Sequence, residues 1–427
     1  MTKSLQMKTT KRIIFLALIL LTIGLNSYGQ KMDYSRNKTF INPTPGEITI
    51  MAWNPIPDGV EATRQSFVDL VECGFNLGTE PATADAYKKL FSKIGDLDFK
   101  YLVSNPELQD KKASKWVKKF KKSKYVAGWN FQNEPLYDQL DELKLKYDAL
   151  YALDPERLIY MNLVGQEIKD YTGSTADLAD YVKIIEQKFQ PPVWSYEFDP
   201  IVIKEGRQVV DNDQFYYDLE VFSDISRKTG RPFWSYCMSM AYQDGAFSHP
   251  MPTETTMRFE VFSALAYGAQ GIVYWTYGQR KDTEKTTYES ALVDLTGRKT
   301  ETWSAAKRVN GEVKRFNDIF YGCRVKEVRH VGSKYFKGTT RLHGEIGPFA
   351  SIDAGNSGVM ISLLENNGRR YVVVVSRDIL YDQKIALRLC GGRAVKLYTP
   401  DGEKQFSPGS EFTTVLPKGS YFIFEEI

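Results

Sequence analysis

The chain has 427 residues, enough to bury a large core, so it has no need of a disulfide or metal staple on grounds of size. Hydrophobic residues make up 42% and charged residues 26%, an ordinary globular balance that argues against extended disorder. A net charge of +3, from 56 basic and 53 acidic residues, excludes a strong nucleic-acid footprint, and the three scattered histidines (His249, His330, His343) argue against a His-built metal site.

The amino terminus reads as an address. Lys8, Lys11 and Arg12 precede the apolar run Ile13-Ile-Phe-Leu-Ala-Leu-Ile-Leu-Leu21, and Ser27 and Gly29 place small residues at the −3 and −1 positions of a cleavage site. The pattern predicts a signal peptide over 1–29 and a lead-in over 30–46; an uncleaved anchor is the alternative. No cysteine follows the run, which argues against a lipoprotein anchor, and no later stretch is long and apolar enough to span a membrane. The expected location is therefore periplasmic or extracellular. Export permits disulfides; Cys323 and Cys390 are the candidate pair, with buried free thiols the preferred reading, and no cysteine spacing matches a metal motif.

From 47 to 322, short apolar runs alternate with amphipathic helical stretches. The strands are expected over 47–56, 75–80, 99–105, 126–134, 158–163, 193–200, 232–240 and 271–277. Helices are expected over 62–73, 84–94, 114–122, 140–153, 175–189, 213–229, 253–267 and 304–320, several ending at Gly or Pro. Eight βα units in this length predict a (β/α)8 TIM barrel. The remainder, 323–427, has short alternating segments over 358–363, 370–375, 385–389 and 421–424, separated by turn signals such as Asn366-Asn-Gly and Pro400-Asp-Gly. That pattern predicts a small antiparallel β-sandwich.

In such a barrel the chemistry sits at the carboxyl ends of the strands. The fourth strand reads Tyr125-Val-Ala-Gly-Trp-Asn-Phe-Gln-Asn-Glu-Pro135. Alternation is expected to turn Gly128, Asn130, Gln132 and Glu134 to the barrel axis and Ala127, Trp129 and Phe131 to the helices. A carboxyl near an apolar interior has a raised pKa, which suits Glu134 to general acid catalysis. On the sixth strand Ser195, Glu197 and Asp199 share one parity, so both carboxylates are expected to point inward, two strands from Glu134. Such a pair suits glycosidic cleavage, with retention at a separation of ~5–5.5 Å and inversion at ~6.5–9.5 Å. Internal ion-pair and turn roles remain open for Glu197 and Asp199, and Glu80 before Pro81 reads as structural. Trp53, Tyr236, Tyr274 and Trp275, at ends of strands one, seven and eight, are candidate sugar-stacking rings. Each is equally well explained as core packing. Asn54, Asn133 and Asn162 are candidate readers of sugar hydroxyls.

The string Trp129-Asn-Phe-Gln-Asn-Glu-Pro135, at the end of a fourth barrel strand, resembles the Asn-Glu-Pro motif of clan A glycoside hydrolases, including the β-galactosidase-like family 42. The segments Trp194-Ser-Tyr-Glu-Phe-Asp-Pro200, Arg231-Pro-Phe-Trp-Ser235 and Leu265-Ala-Tyr-Gly-Ala-Gln-Gly-Ile-Val-Tyr-Trp-Thr-Tyr277 resemble secreted glycoside hydrolases of gut-type Bacteroidetes. The resemblance implies that Glu134 is the acid/base and that Asn133 contacts the sugar 2-hydroxyl. It also implies a nucleophilic glutamate at the end of strand seven. Here Phe233-Trp-Ser-Tyr-Cys-Met-Ser-Met-Ala-Tyr242 carries no carboxylate, and Asp244 and Glu254 only follow in the loop. Glu197 is the best substitute.

The expected function is a secreted glycoside hydrolase acting on an oligo- or polysaccharide without cofactor or metal, with Glu134 as acid/base and Glu197 as nucleophile or base. The alternative is a glycan-binding barrel that does not cleave. A hydrolase or lyase of another bond is disfavoured by the absence of a Gly-x-Ser-x-Gly elbow, and a dehydrogenase by the absence of a dinucleotide fingerprint.

Overall fold

The computed structural model describes residues 42–427 except 167, 169–176, 246, 356–357 and 407–409. The expected signal peptide, most of the lead-in and the first residues of the helix expected over 175–189 lie outside the described residues.

Eight parallel strands close a barrel. They are β1 (Thr49–Trp53), β2 (Leu77–Pro81), β3 (Lys100–Ser104), β4 (Val126–Asn133), β5 (Leu158–Val164) and β6 (Trp194–Glu197), followed after an excursion by β9 (Phe233–Met238) and β12 (Gly271–Trp275). The excursions leave the barrel at its carboxyl end. A hairpin of β7 (Ile201–Lys204) and β8 (Arg207–Val210) follows β6, and β10 (Tyr242–Asp244), β11 (Phe247–His249) and β13 (Thr286–Tyr288) form a small antiparallel sheet. All eight expected barrel strands are present; most are shorter than expected at one or both ends, while β2 and β5 each run one residue further, to Pro81 and Val164.

The helices between strands start where short polar side chains cap free N–H groups. Thr63, Thr83, Asp211 and Thr253 accept from the backbones of Ser66, Ala86, Gln214 and Thr256. The helix expected over 304–320 is instead two pieces, Glu301–Arg315 and Asn317–Phe320, because Phe316 leaves helical geometry.

The barrel interior is filled by Met51, Trp53, Leu77, Leu102, Leu158, Tyr160, Val193, Trp234, Tyr236 and Val273. Ala127 joins them, against the expected parity of β4. The reason is a register irregularity: Tyr101 and Leu102 of β3 pair with Val126 and Gly128, so Ala127 is an extra residue that turns inward. Gly128 allows the neighbouring strand to approach there, since a Cβ would lie 2.2 Å from the Leu158 carbonyl oxygen.

The carboxyl-terminal region adds β14 (Arg324–Val331), β15 (Phe349–Ala354), β16 (Val359–Asn366), β17 (Arg369–Ser376), β18 (Gln383–Leu389), β19 (Val395–Thr399), β20 (Gly402–Phe406), β21 (Glu411–Leu416) and β22 (Tyr421–Glu426). They form a six-stranded antiparallel sheet, β14-β16-β17-β22-β19-β20, and a three-stranded one, β15-β18-β21. The Asn366-Asn-Gly turn joins β16 to β17 with Asn367 and Gly368 both at positive φ, the geometry of a tight hairpin.

The six-stranded sheet is buried on both faces. Ile361, Leu363, Val372, Val374, Phe422 and Phe424 pack toward the smaller sheet. Met360, Leu364, Val373, Val375, Tyr421 and Ile423 pack toward the barrel. This is why β17 is an unbroken Val372-Val-Val-Val375 run rather than an alternating one. The helix Glu254–Ala266, wedged between barrel and sheet, is buried on nearly every side. Phe262 stacks on Tyr421 with ring centroids 3.6 Å apart, and Arg258 makes a two-pronged ion pair with Glu312 at 2.7 and 2.9 Å.

All four cysteines are free thiols, so the candidate Cys323–Cys390 bridge does not form. Cys323 is buried where the barrel meets β14, whereas Cys390 follows β18 in the other sheet.

Candidate active site

Three adjacent strands carry the polar floor. The register aligns Asn133 of β4 with Asn162 of β5, and Asn162 with Ser195 of β6, so three inward side chains lie in a row. The Asn162 amide nitrogen donates to Asn133 Oδ1 at 2.9 Å and to Glu197 Oε2 at 3.0 Å. Ser195 Oγ donates to Asn162 Oδ1 at 3.1 Å, and Tyr160 OH lies 2.7 Å from Ser195 Oγ. On β6 the bulky Trp194, Tyr196 and Phe198 face the helices, which leaves the other parity for Ser195 and Glu197.

A second irregularity in β4, between Asn130 and Gln132, lets the strand end on Glu134 in a left-handed conformation at φ 46°. That conformation costs a non-glycine residue about 1 kcal/mol. Its backbone N–H is held by the Asn162 carbonyl at 2.8 Å. Lower in the strand, Asn130 faces the axis and donates to Thr79 Oγ1 at 3.0 Å.

Glu134, Glu197 and Asp199 line one cavity of about 560 Å³. Its far wall comes from the excursions: Val202, Ile203 and Lys204 of β7, with Tyr242, Asp244, Phe247 and His249 of β10 and β11. Asp211 and Gln214, at the start of the helix Asn212–Thr229, complete it. The lining is acidic, with five carboxyl groups against one lysine and one histidine.

Burial raises the Glu134 carboxyl above its ordinary range, and the nearby Asp199 charge raises it further. Asp199 is buried and is itself raised by desolvation, offset in part by His249 and by the Tyr242 hydroxyl, which donates to Oδ2 at 2.7 Å. His249 stacks on Tyr242 with centroids 4.3 Å apart, and its Nδ1 lies 3.0 Å from the Ile201 carbonyl, tying β11 to β7.

The other expected site residues are placed differently. Trp53, Tyr236 and Trp275 form an aromatic cluster in the barrel mouth near β1, β9 and β12, with Trp53 5.8 Å from Trp275 and 6.1 Å from Tyr236. Of the three, only Trp275 keeps appreciable exposed surface. Tyr274 does not face the mouth. It lies among the helices, donating to Asn310 Oδ1 at 2.7 Å, because alternation along β12 sends Val273 and Trp275 inward and Tyr274 outward. Asn54 is buried at φ 48°; with its amide oxygen toward Arg280 it accepts from the guanidinium at 2.9 and 3.1 Å. Asn162 is wholly buried, so it supports the floor rather than reading a hydroxyl. Asn133 is exposed.

The end of β9, where clan A has a glutamate, carries Met238. The carboxyl bonded to that strand end is Glu260 of the helix Glu254–Ala266, which accepts from the Met238 N–H at 2.9 Å and is buried and held well above its ordinary pKa by desolvation. Glu254 is engaged by Arg258 and Arg308. Glu80 is pushed up to about 7 by burial and accepts from Tyr101 OH.

Lys204, Asp211, Gln214, Tyr242, Phe247 and His249 were not among the expected residues. One signal for them was available: Ile201-Val-Ile-Lys-Glu-Gly-Arg-Gln-Val-Val210 alternates around Glu205-Gly206, both at positive φ, which is a hairpin pattern. Among the described residues no cluster of three or more His, Cys, Asp or Glu could hold a metal ion, and no helix is long and apolar enough to cross a membrane.

Residues 130–316 match the family profile described as Beta-galactosidase, glycoside hydrolase family 42. No curated protein matches the chain. Among solved structures, the chain is similar to a β-galactosidase from Bacillus circulans sp. alkalophilus, at 9% identity and TM-score 0.60 over 90% of this chain and 99% of that one. It is also similar to a catalytic mutant of a family 42 β-galactosidase from G. stearothermophilus, at 8% identity and TM-score 0.57 over 92% and 100%. A third is a glycoside hydrolase of family 5 from Bacteroides vulgatus, at 9% identity and TM-score 0.54 over 89% and 88%. The chain spans 60% of the length of the β-galactosidase from the psychrophilic Marinomonas ef1. At such identities the structural likeness is one of fold, and the family signature lies on the half of the barrel that contains Glu134 and Glu197. Over residues 130–316, less than half of the chain, the sequence is similar to the glycoside hydrolase family 42 profile, and the solved structures share its barrel fold.

Proposed function

We propose that the chain is an exported glycoside hydrolase that cleaves a glycosidic bond with two carboxyl groups, Glu134 as acid/base and Glu197 as its partner. The observation that carries this reading is the convergence of Glu134, Glu197 and Asp199 on one cavity, with Glu134 raised by burial and by Asp199. A raised carboxyl keeps its proton to higher pH than an ordinary glutamate does, and as general acid it passes that proton to the leaving oxygen as the C–O bond breaks. As that bond breaks, Glu197, receiving the Asn162 N–H, either attacks the anomeric carbon, forming a glycosyl-enzyme that water deprotonated by Glu134 then cleaves, or takes the proton of the water that attacks directly. Asn133, beside Glu134, is exposed and suited to contact a hydroxyl. The product anomer, followed by NMR during turnover, distinguishes the two courses: retention assigns Glu197 as nucleophile, inversion as base. Export through the segment 1–29 is checked by sequencing the amino terminus of the mature protein, expected at Gln30.

A second reading, glycan binding without cleavage, is favoured by one observation, the carboxylate-free end of β9. A panel of oligosaccharides and aryl glycosides separates the two. Turnover by the native chain that Glu134→Gln abolishes while binding survives supports the hydrolase; binding without any sugar release supports the alternative.

A further inference from the structure

We propose that Asn162 is a positioning residue that holds Asn133 and Glu197 in register across the cavity floor, and that Tyr160 and Ser195 fix it from below. This rests on the roles assigned to Asn133 and Glu197 above and assigns a task to a row of side chains that does not itself line the cavity.

Asn162 is wholly buried, so each of its amide groups needs a partner inside the protein. Its nitrogen has two protons and meets two oxygens, Asn133 Oδ1 at 2.9 Å and Glu197 Oε2 at 3.0 Å. Its oxygen meets Ser195 Oγ at 3.1 Å. The opposite amide orientation would set Oδ1 against a carboxylate and another amide oxygen, so chemistry selects the orientation observed. Ser195 has one proton, given to Asn162, and must therefore accept from Tyr160 OH, 2.7 Å away. The protons thus run in one direction, from Tyr160 to Ser195 to Asn162 and then to both site residues.

This arrangement has two consequences. The Glu197 carboxylate receives a buried N–H, which favours its charged form. Asn133 has its oxygen engaged, which leaves its NH2 group as the donor for a substrate oxygen. Because β5 lies between β4 and β6, one side chain on it reaches both strands that carry the carboxyl pair. Neither outer strand offers a position from which one amide does the same.

The test compares the native chain with Asn162→Ala, Asn162→Asp and Ser195→Ala, reading kcat and KM against pH, the melting temperature, and the titration of Glu197 by carbon NMR of labelled glutamate carboxyls, assigned with Glu197→Gln. Asn162→Ala is expected to lower kcat about 100-fold, as for a displaced reacting group. It is also expected to move the acidic limb of the profile and the Glu197 titration upward in pH. Asn162→Asp, which keeps the acceptor for Ser195 but presents oxygen to Glu197, is expected to move both further. Ser195→Ala should move them in the same direction by less, and serves if the Asn162 variants do not fold. A fall in melting temperature with limb and titration unmoved overturns the proposal, since that is the behaviour of a merely structural residue. If the native chain hydrolyses nothing, the functional reading fails by itself. The Glu197 titration still decides the proposal: an upward shift supports it and an unchanged one refutes it.

Discussion

The two sides of the barrel mouth are built from the same kind of strand and filled with different chemistry. On the β4–β5–β6 side, inward positions carry Asn133, Asn162, Ser195 and Glu197, joined by directed hydrogen bonds. On the β9–β12–β1 side they carry Tyr236, Trp275 and Trp53, joined by ring contacts of about 6 Å. Rings in contact supply burial and shape but cannot move a proton. Buried amides and carboxyls supply little net stability yet hold charge at defined points. Under the proposed function the acid–base work falls on the polar side of the mouth, where a carboxyl pair is available although β9 ends without a carboxylate.

Four substitutions test the contrast between the two sides. The largest expected effect is Glu134→Gln, which should lower kcat about 100- to 10,000-fold while glycan binding persists; single-turnover kinetics with a binding titration measures both. On the aromatic side, Trp53→Ala should lower stability by about 3–5 kcal/mol through lost burial, seen in denaturant unfolding, with a smaller effect on kcat in the molecules that remain folded. Asp199→Asn sharpens the electrostatic half. Asp199 raises Glu134, so its neutralisation lowers Glu134 toward its ordinary range. The general acid then loses its proton at lower pH, and the alkaline limb of the rate profile should move to lower pH; a limb that stays in place removes Asp199 from the account. The smallest effect is expected for Tyr274→Phe, which strands Asn310 Oδ1 and should cost about 1 kcal/mol in thermal melts with activity unchanged.

Much of the frame was legible in the chain because period and turn chemistry are local. Alternating apolar strands and capped helices outlined the barrel, and Asn366-Asn-Gly announced its hairpin. The inward Asn130 and the Ser195–Glu197 parity were readable as well, whereas the row expected to end in Glu134 is broken by the second β4 irregularity, which brings Asn133 to the floor. Parity failed at Ala127, where a bulge adds one residue, and at Tyr274 and Trp275, which as neighbours in a strand cannot both face inward. The cavity wall was missed because β7, β10 and β11 are strands of three or four residues whose meaning lies in what they cover. Asn162 was recognisable as a polar group at a strand end, but not as a buried one.

Backbone periodicity and side-chain volume along single segments were enough to fix the elements, their order and the inward parity of Ser195 and Glu197 on β6. Which carboxyl groups share a cavity, which asparagine is wholly buried, and that one face of the six-stranded sheet belongs to the barrel were settled by the folded arrangement. Those outcomes depend on strand register and on the packing of segments far apart in the chain, where a shift of one residue exchanges the buried face for the exposed one.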